Sequence, residues 1–137
     1  MEELNFDNLQ LREEVLRGIY AYGFEKPSYI QSEAIPIMKL KKDIIAQAQS
    51  GTGKTGSFTI GALELIDIEN KNTQIVIISP TRELSEQTYK VLVSLSEYME
   101  VSIFHCIGGT SMRSCMESLE KNPQIVVGTP GRLLDMI

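Results

Sequence analysis

Asp43-Ile44-Ile45-Ala46-Gln47-Ala48-Gln49-Ser50-Gly51-Thr52-Gly53-Lys54-Thr55 is the stretch that decides the fold. Its start is short, apolar and β-branched, which predicts a buried strand over residues 43–47. Glycines then break the run, and residues 54–68 read as a helix. A glycine-rich turn between a strand and a helix suits phosphate. Gly51 and Gly53 allow a tight turn that brings backbone N–H groups toward anionic oxygens, with Ser50 and Thr52 completing the loop. The helix start adds its unpaired N–H groups and the positive end of its dipole. Lys54 can reach the β- and γ-phosphates as a point charge, and the Thr55 hydroxyl can ligate Mg²⁺. The general pattern asks for glycine where this chain has Ala48. Such a loop names a ligand and not a reaction.

Outward from the loop, helical and extended patterns alternate. Leu9, Val15, Leu16, Ile19 and Tyr20 fit one helix face, with Gly23 just past its end. A second helix is expected after Pro27-Ser28-Tyr29, with Ser28 as N-cap. Downstream, Gln74-Ile75-Val76-Ile77-Ile78 reads as a strand closed by Pro80. A helix from about Arg82 to Tyr98 puts Leu84, Thr88, Val91, Leu92 and Leu95 on one side. Val101-Ser102-Ile103-Phe104 begins a further strand that ends at Gly108-Gly109. Met112, Cys115, Met116 and Leu119 fall at helical spacing and read as a core face. Gln124-Ile125-Val126-Val127 is the last strand, followed by Gly128-Thr129-Pro130-Gly131 and a helical turn. Strands that are apolar throughout and alternate with helices imply an α/β fold, a parallel sheet covered on both faces.

Bulk properties bound the function. The 137 residues fit one domain, and 42% hydrophobic with 23% charged residues is ordinary for a globular chain. No apolar run approaches a membrane span, and the acidic start Met1-Glu2-Glu3 lacks the features of a signal peptide, so a cytoplasmic or nuclear location is expected. Cys106 and Cys115 form no C-x-x-C pair, and His105 is too little to complete a metal site with them, so both read as reduced structural residues. A net charge of −5 argues against holding nucleic acid by bulk electrostatics.

Five segments in order carry a family resemblance. Gly23-Phe24-Glu25-Lys26-Pro27-Ser28-Tyr29-Ile30-Gln31, with Phe6 upstream, resembles the adenine-recognising Q motif of DEAD-box RNA helicases. Ala48 to Thr55 resembles their motif I, in which alanine at the first position is normal. Pro80-Thr81-Arg82-Glu83-Leu84 resembles motif Ia, Gly108-Gly109 the GG element, and Thr129-Pro130-Gly131-Arg132 motif Ib. Gly18-Ile19-Tyr20-Ala21-Tyr22 and Ala46-Gln47-Ala48-Gln49 look most like the branch formed by eukaryotic translation initiation factor 4A and its nuclear relatives.

The resemblance implies a P-loop, RecA-like ATP-binding domain, with residues 1–40 as the Q-motif region and 41–137 as the first part of that domain. It implies ATP and Mg²⁺ as cofactors, RNA gripped through its backbone, and protein partners in translation initiation or RNA processing. Gln31 would then read the adenine edge, since an amide both donates and accepts. Phe24 would offer its face to the ring, with Lys26 nearby. Pro80, Thr81, Arg82, Gly108, Gly109, Thr129 and Arg132 would contact RNA, since they follow strand ends, where ligands of open α/β sheets gather. Lys54 and Thr55 would serve catalysis.

Hydrolysis needs a further carboxylate to hold Mg²⁺. The four expected strands lead into Gln47, Ser79, His105-Cys106 and Gly128, and none into Asp or Glu. The Asp-Glu-Ala-Asp element and the second RecA-like domain would lie beyond Ile137. An N-terminal fragment of an ATP-dependent RNA helicase is therefore expected, inactive alone in hydrolysis and unwinding, with apolar strand edges exposed. The alternative is a non-hydrolysing short form that binds nucleotide or a protein partner.

Overall fold

A computed structural model describes residues 5–49, 51, 53–106 and 112–136. They divide into two compact units: residues 1–65 with 94–99, and residues 66–93 with 100–137.

The first unit is helical. A 3₁₀ turn (Phe6–Leu9) precedes α1 (Glu13–Tyr22), α2 (Tyr29–Lys39) and α3 (Lys54–Leu65). Helix α1 stops at Gly23, whose φ of 109° lets its N–H bond back to the carbonyls of Ile19 and Tyr20. Leu9, expected on the face of this helix, sits in the 3₁₀ turn instead. Helix α2 starts where Ser28 predicts, in a full capping box: Ser28 Oγ accepts from Gln31 N, and the Gln31 side chain accepts from Ser28 N. Phe6, Val15, Ile19, Ile35, Ile60, Leu63 and Leu95 are fully buried in this unit. Gly18 makes room for the chain, because a Cβ there would lie 1.9 Å from the Leu95 carbonyl oxygen.

The strand expected over residues 43–47 does not form. Residues 42–49 are irregular, and Ile45 is 99% exposed. The β-branched run has the propensity for a strand, but propensity does not supply a neighbour for its N–H and C=O groups. Helix α3 also ends earlier than expected, at Leu65.

The second unit holds the sheet: β1 (Ile75–Ile78), β2 (Ile103–Cys106) and β3 (Ile125–Gly128), in the order β1-β3-β2 and all parallel. Helix α4 (Arg82–Leu95) connects β1 to β2, α5 (Met112–Glu120) connects β2 to β3, and α6 (Pro130–Met136) follows β3. Ile78, Gly128 and Cys106 stand in register, so all three strands end level with one another.

Central β3 is buried along its whole length. Coverage of both faces holds there but not at β1, an edge strand whose Val76 and Ile78 are 55% and 60% exposed. Two expected core positions also face outward, Leu84 and Met116. Met116 lies at the margin of its apolar stripe, and Leu84 in the first turn of α4, where periodicity does not report whether a neighbour covers the residue.

One buried side chain ties this unit together. Gln124, at 1% exposure, donates from Nε2 to the carbonyls of Ile68 (3.1 Å) and Asn70 (2.8 Å). Its Oε1 accepts from Ser102 N (3.0 Å), and its own N–H donates to Ser102 Oγ (2.9 Å). The 67–70 turn is thereby fixed to the entry of β3 and to the residue before β2.

Candidate functional site

The glycine-rich loop and the Q-motif-like segment meet within the helical unit. Gly51 and Gly53 both have positive φ, 81° and 96°, a region that side-chain-bearing residues avoid. Gly53 is constrained twice over: a Cβ there would lie 2.6 Å from Ser28 Oγ and 2.8 Å from Gln31 Nε2. Its carbonyl closes the first turn of α3, accepting from Ser57 N (3.0 Å) and Ser57 Oγ (3.1 Å). Gln31 Nε2 donates to the same carbonyl at 3.3 Å.

Gln31 is 3% exposed, and its amide is engaged at both ends. Oε1 takes the Ser28 N–H at 2.9 Å while Nε2 holds Gly53. An amide has two acceptor lone pairs and two donor hydrogens, so one of each remains after these bonds. Gly56, which the sequence reading did not single out, completes the fit. A Cβ at Gly56 would lie 2.4 Å from Gln31 Nε2 and 3.7 Å from Phe24 Cζ. The first turn of α3 therefore packs against both Gln31 and Phe24. The signal for Gly56 was its place directly after Lys54-Thr55, on the helix face turned toward α2.

Phe24 is half-buried in an aromatic cluster, with ring centroids 4.9 Å from Tyr22 and 6.2 Å from Phe6. Lys26 is exposed. Lys54 opens α3 and is exposed, lining a cavity of ≈ 280 Å³ with Ile30, Ala34, Met38, Ile44, Ala46, Ser57 and Phe58. Thr55 follows at the second helical position and is partly buried. The first N–H groups of a helix have no acceptor within it, and here they belong to the residues of the loop motif. Ser50 and Thr52 lie outside the described residues.

The second group of candidates gathers at the carboxyl edge of the sheet. Ser79 N donates to the Gly128 carbonyl (3.0 Å), which brings the β1 and β3 exits side by side. Thr81 then caps α4, its Oγ1 accepting from Leu84 N at 3.2 Å. Pro80, Thr81 and Arg82 are exposed. Thr129 O accepts from Leu133 N (3.0 Å) to start α6. Arg132 is partly buried and turned inward, with Nη2 donating to Cys115 Sγ at 3.8 Å. Gly108 and Gly109 lie outside the described residues.

His105 holds the start of α4 against β2. Its Nε2 shares a hydrogen bond with Ser85 Oγ (2.7 Å), and Tyr89 stacks on its ring with centroids 5.2 Å apart. Burial lowers its pKa from 6.5 most strongly. Glu86 counters that shift and Arg82 adds to it. Sequence reading weighed His105 only as a metal ligand. Among the described residues, no group of three or more His, Cys, Asp or Glu could hold a metal ion.

Comparison with known proteins bears on the family and the fold. The family model described as DEAD/DEAH box helicase matches residues 28–137. The ATP-dependent RNA helicase eIF4A of Mycosarcoma maydis is 55% identical over 134 residues, which are 97% of this chain and 32% of that protein. Its namesake in Aspergillus niger is 53% identical over 133 residues, 97% of this chain and 33% of that protein. The chain thus spans about a third of the length of these curated relatives.

Among solved structures, a DEAD box protein from Methanococcus jannaschii superposes with a TM-score of 0.90 at 40% identity, covering 98% of this chain and 37% of that one. S. cerevisiae Dbp5 bound to RNA and ADP BeF3 does so with a TM-score of 0.87 at 35% identity, covering 96% and 33%.

Proposed function

This chain belongs to the DEAD/DEAH box helicase family, and we propose that it supplies the ATP-binding surface and part of the RNA-binding surface of an ATP-dependent RNA helicase. The observation that carries this reading is the bond from Gln31 to the Gly53 carbonyl. It joins the segment expected to recognise adenine to the loop expected to hold phosphate.

Lys54 and the first N–H groups of α3 neutralise the β- and γ-phosphates, and Phe24 presents its ring to the base. The remaining donor and acceptor of Gln31 meet the adenine edge, which favours ATP over GTP. Thr55 offers a hard hydroxyl oxygen of the kind Mg²⁺ prefers, and the ion would complete its shell with phosphate oxygens and water. When bound, Mg²⁺ offsets phosphate charge during transfer.

Thr81, Arg82, Thr129 and Arg132, with Pro80, Gly108 and Gly109, contact RNA through its sugar-phosphate backbone. Neighbouring strand exits at the sheet edge support that role, as does the RNA held by the similar Dbp5 structure. Placed contacts of this kind are compatible with a net charge of −5. The whole protein would remodel short RNA duplexes in translation initiation or RNA processing.

Calorimetric titration of the 137-residue chain with Mg-ATP tests the reading, with Lys54→Ala as the comparison. ATP binding that Lys54→Ala weakens at least about tenfold is expected, a loss of roughly 1.4 kcal/mol. Equal binding by both chains would refute the assignment. The same preparation should show no RNA-stimulated ATP turnover.

A further inference from the structure

The chain has two cysteines, and the fold puts them together. Cys106 closes β2, and Cys115 lies one turn into α5. They are 1% and 2% exposed and share one apolar cluster with Val126 and Leu133. Neither forms a disulfide in this structure, and Cys115 lies near enough to Cys106 to raise its thiol.

Their surroundings are not equivalent. The Arg132 guanidinium donates to Cys115 Sγ at 3.8 Å and also acts on Cys106, where it favours the thiolate. Burial, and then the neighbouring sulfur, push the Cys106 thiol up to about 11.

We propose that Cys106 and Cys115 are a reversible redox pair, closing to a disulfide that ties the carboxyl end of β2 to α5. With a small disulfide such as oxidised glutathione, the Cys115 thiolate attacks one sulfur and expels a glutathione thiolate. The Cys106 thiol then gives up its proton and attacks the Cys115 sulfur of the mixed disulfide, expelling the second glutathione. Two protein thiols are oxidised and one glutathione disulfide is reduced. The two protein protons end on the glutathione thiols. Burial slows the exchange but does not alter its equilibrium, which local opening is enough to reach.

Glutathione redox buffers, read by alkylation and intact mass on the 137-residue chain, test this. The closure constant is measured under native conditions and again in concentrated urea. The unfolded chain is the fair reference because it keeps both residues nearby in sequence without holding them in contact. Closure roughly tenfold or more favoured in the native chain is expected. Closure no better than in urea would overturn the proposal, since the fold would then hold the sulfurs apart. Cys106→Ser and Cys115→Ser should each stop at the glutathione adduct. By linkage the oxidised chain should unfold at higher urea than the reduced one, and a lower midpoint would also count against the pairing.

Discussion

Gln31 and Gly53 lie twenty-two positions apart and share a hydrogen bond, Nε2 to carbonyl oxygen at 3.3 Å. The other end of the same amide holds the N-terminus of its own helix through Ser28 N at 2.9 Å. One side chain thus caps α2 and braces the turn that begins α3. The loop and the Q-motif-like segment are thereby linked, since the donor to Gly53 and the acceptor that caps α2 belong to one planar amide.

Replacing Gln31 should therefore act on stability and on nucleotide choice together. Gln31→Ala removes both bonds and is expected to cost about 1 kcal/mol in urea unfolding. ATP affinity should fall about tenfold, roughly 1.4 kcal/mol, while the weaker GTP affinity hardly changes. Titration with both nucleotides separates the outcomes: a retained preference for ATP would remove Gln31 from base recognition.

Gly56→Ala tests the same contact from the other side. The new Cβ would stand 2.4 Å from Gln31 Nε2, and the amide, being the far end of a flexible side chain, is what yields. The stability cost should stay near 1 kcal/mol, yet ATP binding should weaken as much as in Gln31→Ala. Two changes acting on one contact do not add. The double variant is accordingly expected to bind ATP no worse than either single one, and additive losses would mean that Gly56 acts by another route.

The parts of the fold legible in the sequence were those with local causes. Ser28 announced its capping box, Gly23 its left-handed turn, and the apolar runs at 75–78 and 125–128 their strands. The glycine turn before α3 was legible because the positive φ of Gly51 and Gly53 requires glycine. Residues 43–47 misled because a strand needs a neighbour, and residue type does not report one. The contacts of Gln31 with Gly53, of His105 with Ser85 and of Arg132 with Cys115 depend on how distant segments pack. No spacing rule on a single sequence encodes them.

His105 makes the sheet unit sensitive to acid. Its folded pKa lies below the ordinary 6.5, chiefly because burial disfavours the charged ring. The unfolded chain then binds the proton more readily than the folded one. The His105 contribution is complete above the unfolded value and declines as pH falls through about 6.5 toward the folded value. Urea midpoints between about pH 5 and 8 should drop on the acid side, and His105→Gln, which cannot titrate, should flatten that part of the curve. An unchanged slope in the variant would assign the acid sensitivity to other groups.

Gln124 is the residue whose loss should most damage the sheet unit. Its side chain, 1% exposed, meets Ile68 and Asn70 through Nε2 and Ser102 through Oε1. Gln124→Ala deletes the donor and the acceptor at once, leaving the carbonyls of Ile68 and Asn70 and the N–H of Ser102 without this partner. A destabilisation of about 1–3 kcal/mol is expected. Gln124→Glu sharpens the test, since a carboxylate keeps the acceptor for Ser102 N but turns the Ile68 and Asn70 contacts repulsive. It should be at least as harmful as alanine at neutral pH and should recover in acid, where a protonated carboxyl can donate again. Hydrogen exchange should report the loss first at the N–H groups of Gln74 and Ile75, which both donate to the Gln124 carbonyl. Exchange that accelerates uniformly across the chain would instead mark a global effect with no special role for this hub.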